Sequence, residues 1–200
     1  MPLDKYALAN QVYDLLESDL IAAGFELLDV RIFQGGGRLQ VRVFVDTPGG
    51  INLDECTRAA RTAGILLEES DLIPGQHVIE VSSPGIRRPL RKPKHFAPCI
   101  GQEVALRVAT PAAPERIRGS LVAANDDGVT IAPLAQAGEE ESPAAQTFQY
   151  RAILEANLES EFDVQALIKA DRRKRKDQSR EQRRANRRQR TTRRKRRSEQ

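Results

Sequence analysis

The residues whose types and spacing could do chemistry are concentrated in one short stretch, VIEVSSPGIRRPLRKPKHF, which spans residues 78–96. Ser82 and Ser83 follow soon after His77, and a serine beside a histidine can act as a nucleophile with its base. However, His77 lies five or six residues away along a predicted strand, and the sequence has no G-x-S-x-G elbow. The hydroxyls are better explained as hydrogen-bonding their own backbone in a Ser-Ser-Pro-Gly turn. The sequence therefore predicts no catalytic residue, and we expect a protein that is not an enzyme.

Metal and cofactor sites are not indicated either. Cys56 and Cys99 lie far apart and in no Cys-x-x-Cys spacing, so neither a disulfide framework nor a zinc site is supported. The glycine run at residues 35–37 lacks the Lys and Ser/Thr of a phosphate-binding loop and precedes a predicted strand rather than a helix. We therefore predict no metal and no cofactor, and the thiols fit a reducing cytoplasm.

The same stretch carries five cations within eight residues, namely Arg87, Arg88, Arg91, Lys92 and Lys94. The surrounding body is acidic, because residues 1–168 contain 15 Lys and Arg against 24 Asp and Glu. Cations that offset a repulsive background favour docking on phosphate, so we predict that these residues bind RNA. The alternative is a structural role at a domain junction, with Arg88 bridging carboxylates such as Glu80 or Glu103.

A second cationic element ends the sequence. Residues 169–200 hold 17 Lys and Arg against 4 Asp and Glu, and from Asp171 onward Ala185 is the only aliphatic residue. Such a segment cannot repay the entropy of folding alone, so it is predicted to be a disordered tail. Charge runs of one sign commonly bind polyanions. Its candidate RNA-binding residues are Arg172, Arg173, Lys174, Arg175 and Lys176.

Hydrophobic periodicity predicts the elements that must position the first cluster. Apolar residues at spacings of three and four predict a helix from Tyr6 to Ile21, and a capping box at Asn52 and Glu55 begins a second helix. Between them, FELLDVRIF and LQVRVFV alternate with period two and predict a hairpin, and HVIEV adds a third strand. The order αββαβ predicts an α/β domain over residues 1–92.

One face of the predicted hairpin is not needed to cover a helix. It would carry Arg31 and Phe33 on one strand and Arg42 and Phe44 on the next. These side chains could stack and pair with RNA bases, or they could pack against a second domain. The sequence favours packing because no other aromatic cluster supports base recognition.

The pattern changes beyond a proline-rich linker between about Leu90 and Ile100. Short alternating segments follow, separated by turns of which NDDG at residues 125–128 is the clearest. They predict a small antiparallel barrel or sandwich as a second domain over residues 93–168. With few apolar residues in the linker, we expect a modest polar interface and some relative motion between the two domains.

The central run HVIEVSSPGIRRPL resembles the RimP family of bacterial ribosome maturation factors, as do NLDECTRAARTAGILLEESDLIPG before it and HFAPCIGQEVALRV and FQYRAILEANLESEF after it. The resemblance covers roughly residues 6–163. It implies an α+β fold in which an N-terminal αββαβ domain precedes a small SH3-like antiparallel β-barrel. It further implies a non-catalytic factor that binds the immature small (30S) ribosomal subunit, with the C-terminal domain contacting a ribosomal protein near the decoding centre.

The residues that match the family's interdomain signature are Ser82, Ser83, Pro84, Gly85, Arg88, Pro89 and Leu90. Two positions depart from it, since His77 replaces an expected tyrosine and Arg87 an expected aspartate. The basic tail lies outside the resemblance, so a general RNA-binding protein or RNA chaperone that acts through the tail remains the alternative. No apolar stretch approaches the roughly 20 residues that span a bilayer, and we expect a cytoplasmic monomer.

Overall fold

The structure, a computed structural model, describes residues 4–134 and 144–159. The predicted disordered tail at residues 169–200, with its candidate RNA-binding residues 172–176, lies outside the described residues. Within them, the chain forms two β-sheets, each with its own hydrophobic cluster. The predicted α+β class is confirmed.

The first sheet has three strands, and two helices pack on it. Its elements follow the predicted αββαβ order: α1 (Lys5–Ala22), β1 (Glu26–Gly35), β2 (Arg38–Asp46), α2 (Leu53–Ser70) and β3 (His77–Ser82). β1 and β2 pair antiparallel, whereas β3 pairs parallel with β2. A parallel pair needs a crossover connection, and α2 provides it.

Local sequence explains how these elements begin and turn. Asn52 and Glu55 form the predicted capping box of α2: Asn52 Oδ1 accepts the Glu55 amide at 3.0 Å, and Glu55 Oε2 accepts the Asn52 amide at 2.9 Å. Gly36 and Gly37 join β1 to β2 with φ values of 60° and 77°. A two-residue type I′ turn requires positive φ at both positions, so the glycines set the hairpin register.

A β-bulge changes which residues of β1 face the helices. The register shifts between Leu27 and Asp29, so Leu27, rather than Leu28, joins the first hydrophobic cluster. A bulge sets two residues of one strand against one of its partner. Leu27 consequently lies opposite Val45 and Glu26 opposite Asp46, while Asp29 lies opposite Phe44 on the face that the helices do not cover.

The second sheet has five antiparallel strands in the order β7-β6-β5-β4-β8. A short helix, α3 (Pro93–Phe96), precedes its strands, which are β4 (Glu103–Val108), β5 (Glu115–Ala124), β6 (Gly128–Pro133), β7 (Gln146–Gln149) and β8 (Ile153–Leu158). The predicted NDDG hairpin is confirmed, because Asn125 Oδ1 accepts the Gly128 amide at 2.9 Å between β5 and β6. The predicted last segment, TFQYRAI, is instead divided between β7 and β8 by a 3-10 turn at Tyr150–Ala152.

The strand order bears on the predicted SH3-like barrel. β7 and β8 lie at opposite ends of the order, and no pairing between them closes the sheet within residues 4–134 and 144–159. Closure into a barrel requires that the end strands meet. The structure therefore shows the antiparallel sheet that a barrel would need, but closure of this sheet into an SH3-like barrel stays a prediction.

The linker adds itself to the second sheet along β8. The Leu158 amide donates to the Arg88 carbonyl at 2.9 Å, and the Leu90 amide donates to the Ala156 carbonyl at 3.0 Å. Pro89, which has no amide hydrogen, lies between them and bridges to Asn157. Proline is tolerated there because an outer strand needs only alternate amides for pairing.

Leu90 also belongs to the second hydrophobic cluster. Its side chain is 2 % exposed and packs with Phe96 and Cys99. The linker therefore enters the second core before the predicted boundary at residues 92/93, and that boundary stays a prediction. None of the helices in the described residues is long and apolar enough to cross a membrane.

Candidate nucleic-acid interface

The Ser-Ser-Pro-Gly turn has the geometry of a backbone turn. Ser82 ends β3, and its Oγ donates to the Ser83 carbonyl at 3.1 Å. Gly85 supplies a φ of 60°, which favours glycine. His77 lies at the opposite end of β3, about 16 Å from Ser82 at the usual rise of a strand. This separation rules out a hydrogen-bonded pair of Ser82 and His77.

Arg88 bridges two carboxylates of the first sheet. Its guanidinium pairs with Glu26 at 3.2 Å and with Asp46, and these two acids face each other across β1 and β2. The predicted bridging role is confirmed, but with different acids. Glu80, a predicted partner, instead pairs with Arg42 at 2.7 Å.

Arg91 lies over α1 and the bulge of β1. Its guanidinium stacks on the Tyr13 ring at 4.0 Å, donates to Asn10 Oδ1 at 2.8 Å and pairs with Asp29 at 3.4 Å. The Asp29 side chain is 8 % exposed and also pairs with Arg31 at 3.0 Å. Burial raises the pKa of Asp29, while the two guanidiniums act to lower it. The carboxylate therefore depends on both arginines for its charge.

We call the first sheet together with α1 and α2 the first unit, and the two lysines of the cluster also pair with it. Lys92 pairs with Glu17 of α1, and Lys94 pairs with Glu26 at 2.5 Å. Burial acts to raise the pKa of both glutamates, but the hydrogen bonds and charges of these lysines outweigh it. The pKa of each glutamate is therefore lowered. Four of the five predicted cations thus hold the linker against α1, β1 and β2, and their RNA binding stays a prediction.

Arg87 pairs with an acid that follows β8, and not with the first sheet. It pairs with Glu159 at 3.4 Å, and the same carboxylate pairs with Arg116 at 3.2 Å and Arg118 at 3.5 Å. Sequence reasoning missed Arg116 and Arg118, although their alternation in ERIRG places both on one face of a strand. The signal was overlooked because it consists of isolated charges rather than a run.

The uncovered face of the hairpin carries two crossed stacking pairs. The Arg31 guanidinium lies 5.2 Å from the Phe44 ring centre, and that of Arg42 lies 5.0 Å from Phe33. Arg31 also donates to Asn157 Oδ1 of β8 at 2.7 Å. This contact supports packing against the second sheet, whereas base stacking on this face stays a prediction.

His95 is a buried titratable group in the linker. Its Nδ1 accepts the amides of Arg91 at 3.1 Å and Lys92 at 3.3 Å. Its Nε2 has no hydrogen-bond partner within the described ranges and lies 3.5 Å from Glu26 Oε1. Burial lowers the pKa of His95 to about 4, with Lys94 and Arg88 adding to the shift and Glu26 opposing it.

His95 should make the fold sensitive to mild acid. As the pH falls, the unfolded chain takes up this proton near its ordinary pKa of 6.5, whereas the folded chain does so only near about 4. Stability is therefore full above about pH 6.5 and lost between there and about pH 4. Linkage gives a loss of about 2 kcal/mol between about pH 7.5 and 5.

Urea unfolding at both pH values measures this loss against a His95→Gln variant. Glutamine offers the two amides an acceptor but does not titrate, so its acid loss should be smaller by about 2 kcal/mol. Equal losses in the two proteins would contradict the assignment.

Within residues 4–134 and 144–159, no group of three or more His, Cys, Asp or Glu residues is placed to hold a metal ion.

Comparisons with known proteins agree on one family. Residues 15–87 match the family model described as the RimP N-terminal domain. Two curated proteins called ribosome maturation factor RimP, from Nitratidesulfovibrio vulgaris strains DP4 and Hildenborough, are each 34 % identical over 161 residues. That match covers 78 % of this chain and 92 % of each relative. The chain therefore belongs to the RimP family of ribosome maturation factors.

Proposed function

We propose that this chain binds the immature small (30S) ribosomal subunit and promotes its maturation without catalysing a reaction. The observation that carries the proposal is the similarity to maturation factors over 78 % of this chain and 92 % of their length. The proposed partners are ribosomal RNA and, for the second sheet, a ribosomal protein near the decoding centre. The chain would act in the cytoplasm as a monomer.

The ion pairs of the junction support a rigid adaptor. Arg88, Arg91, Lys92 and Lys94 each bind a carboxylate of the first unit while the adjoining backbone pairs with β8. A fixed arrangement of two units reduces the entropy lost on docking to a large particle. We propose domains at residues 1–92 and 93–168, an SH3-like barrel for the second, and a basic tail at residues 169–200.

A general RNA-binding protein or RNA chaperone is the second candidate. The observation that favours it is the tail, with 17 Lys and Arg against 4 Asp and Glu. Attraction of such a segment to phosphate does not depend on sequence or on the state of the particle. The two candidates therefore differ in whether binding distinguishes immature subunits from other RNA.

Co-sedimentation of the full chain with immature small subunits, mature small subunits and bulk ribosomal RNA tests the proposal. We expect the chain to travel with the immature subunits and to remain free with the mature ones at the same salt concentration. Equal binding to all three would favour the general RNA-binding protein. As a control for catalysis, the Ser82→Ala, Ser83→Ala double variant should restore maturation in cells that lack the factor.

A further inference from the structure

The face of the second sheet that turns away from its hydrophobic cluster carries exposed cations beside Asn157, the residue that Arg31 of β1 contacts. Val104, Leu106 and Val108 of β4 lie in the second hydrophobic cluster, so the alternate residues point away from it. On that opposite face Arg107 of β4 lies directly across from Arg116 of β5. We call the set of Arg87, Arg107, Arg116 and Arg118 the outer arginine surface.

One buried carboxylate serves three of these arginines. Arg87 and Arg118 contact Glu159 Oε2, and Arg116 contacts its Oε1. The Glu159 side chain is only 6 % exposed, whereas those of Arg87, Arg116 and Arg118 are 64 %, 57 % and 51 % exposed. A single negative charge cannot neutralise three guanidiniums, so positive charge is left facing solvent.

Arg107 adds a fourth exposed cation to this face. Within the described ranges no carboxylate oxygen lies within 4.0 Å of its guanidinium, although Glu155 of β8 is its half-buried neighbour across the strands. Like charges directly opposite each other on paired strands repel, as Arg107 and Arg116 must. An anion bound between the two would remove that repulsion.

The chemistry of the face selects the kind of anion. Guanidinium groups bind phosphate through paired hydrogen bonds, and several of them side by side suit a chain of phosphates. The outward positions of β4, β5 and β8 carry no aromatic residue that could stack on a base. Contact should therefore be made to the backbone rather than to bases, and it should not depend on sequence.

We propose that the outer arginine surface binds the phosphate backbone of RNA. This inference deepens the proposed function and rests on it for the identity of the RNA. It also moves the expected contact away from the linker cations, since Arg88, Arg91, Lys92 and Lys94 are paired with carboxylates of the first unit. Arg87 is the member of the predicted cluster that the two sites share.

The test compares two full-length double variants of equal net charge. Arg107→Gln, Arg116→Gln removes two guanidiniums of the surface while Glu159 keeps its pairs with Arg87 and Arg118. Arg38→Gln, Arg61→Gln removes two exposed arginines of β2 and α2 on the first unit. Binding of each protein to single-stranded oligouridylate is measured over a range of salt concentrations, and thermal unfolding confirms that both variants fold.

Each lost phosphate contact should reduce the slope of log affinity against log salt by about 0.7, so the surface variant should lose about 1.4 and the control almost nothing. Equal slopes for the two variants would overturn the inference. If the double variant fails to fold, the single variant Arg107→Gln decides, because this side chain has no ion pair to lose within the described ranges. Its slope of log affinity against log salt should fall by about 0.7.

Co-sedimentation of the same variants with immature small subunits separates this inference from the proposed function. If the unchanged protein does not travel with these subunits but the slope on oligouridylate falls as expected, the proposed function fails and the surface stands. If the surface variant loses the subunits while its slope equals that of the control, the surface contacts a protein and the RNA assignment is wrong.

Discussion

Reversal of Arg91 to glutamate should lower the free energy of unfolding by about 3 kcal/mol, because it removes one of the two cations beside a buried acid. Asp29 has an 8 % exposed side chain and would keep only Arg31 while gaining a negative neighbour. The stacking of Arg91 on Tyr13 would also be lost. Urea unfolding at about pH 7.5 measures the change.

Arg38→Glu is the matched control for this reversal. Arg38 is an exposed arginine at the hairpin end of β2, and reversal of such a surface charge rarely costs more than about 0.5 kcal/mol. If both variants unfold at the same urea concentration, Arg91 is a surface charge and its pairing with Asp29 contributes nothing.

Deletion of the chain after Ala170 should have the largest effect on binding. The deleted segment contains 16 Lys and Arg. If about five of them contact phosphate, the slope of log affinity against log salt for single-stranded RNA should flatten by about 3.5. The temperature of unfolding should not change, since the composition of the deleted segment offers almost no apolar surface to bury.

A full-length variant with glutamine in place of every Lys and Arg after Ala170 separates charge from chain length. It should behave like the truncated protein in the salt titration. An unchanged slope in both variants would mean that residues 171–200 do not bind RNA. If the unfolding temperature falls in the truncated protein but not in the glutamine variant, this segment instead stabilises the fold.

Much of the first unit was predictable because its determinants are local. The three-four spacing of α1, the capping box at Asn52 and Glu55 and the glycine turn between β1 and β2 each depend on residues a few positions apart. The bulge at Leu28 was not predictable, since alternation in FELLDVRIF is equally consistent with Leu28 facing the helices. It sets Glu26 opposite Asp46, the two acids that Arg88 bridges, whereas unbroken alternation would set Leu27 opposite Asp46.

The candidate site was predictable in composition but not in its pairing. The run of cations at the linker was visible, yet Lys92 and Glu17 are 75 residues apart and Arg91 and Asp29 are 62 apart. Contacts at such separations are set by the packing of the linker along β8, which no local pattern encodes. For the same reason the shared carboxylate Glu159 could not be matched with Arg87 and Arg116 from the sequence.

The pairing of the linker with β8 also determines where the chain leaves the second sheet. The Arg88 carbonyl accepts a hydrogen bond from the Leu158 amide. The adjacent residues, Arg87 before Arg88 and Glu159 after Leu158, form an ion pair at 3.4 Å. The surface therefore joins three distant parts of the chain: Arg87 before the linker, Arg116 and Arg118 of β5, and Glu159 after β8. It can form only once the linker has paired with β8, so a chain whose second sheet is incomplete lacks this surface.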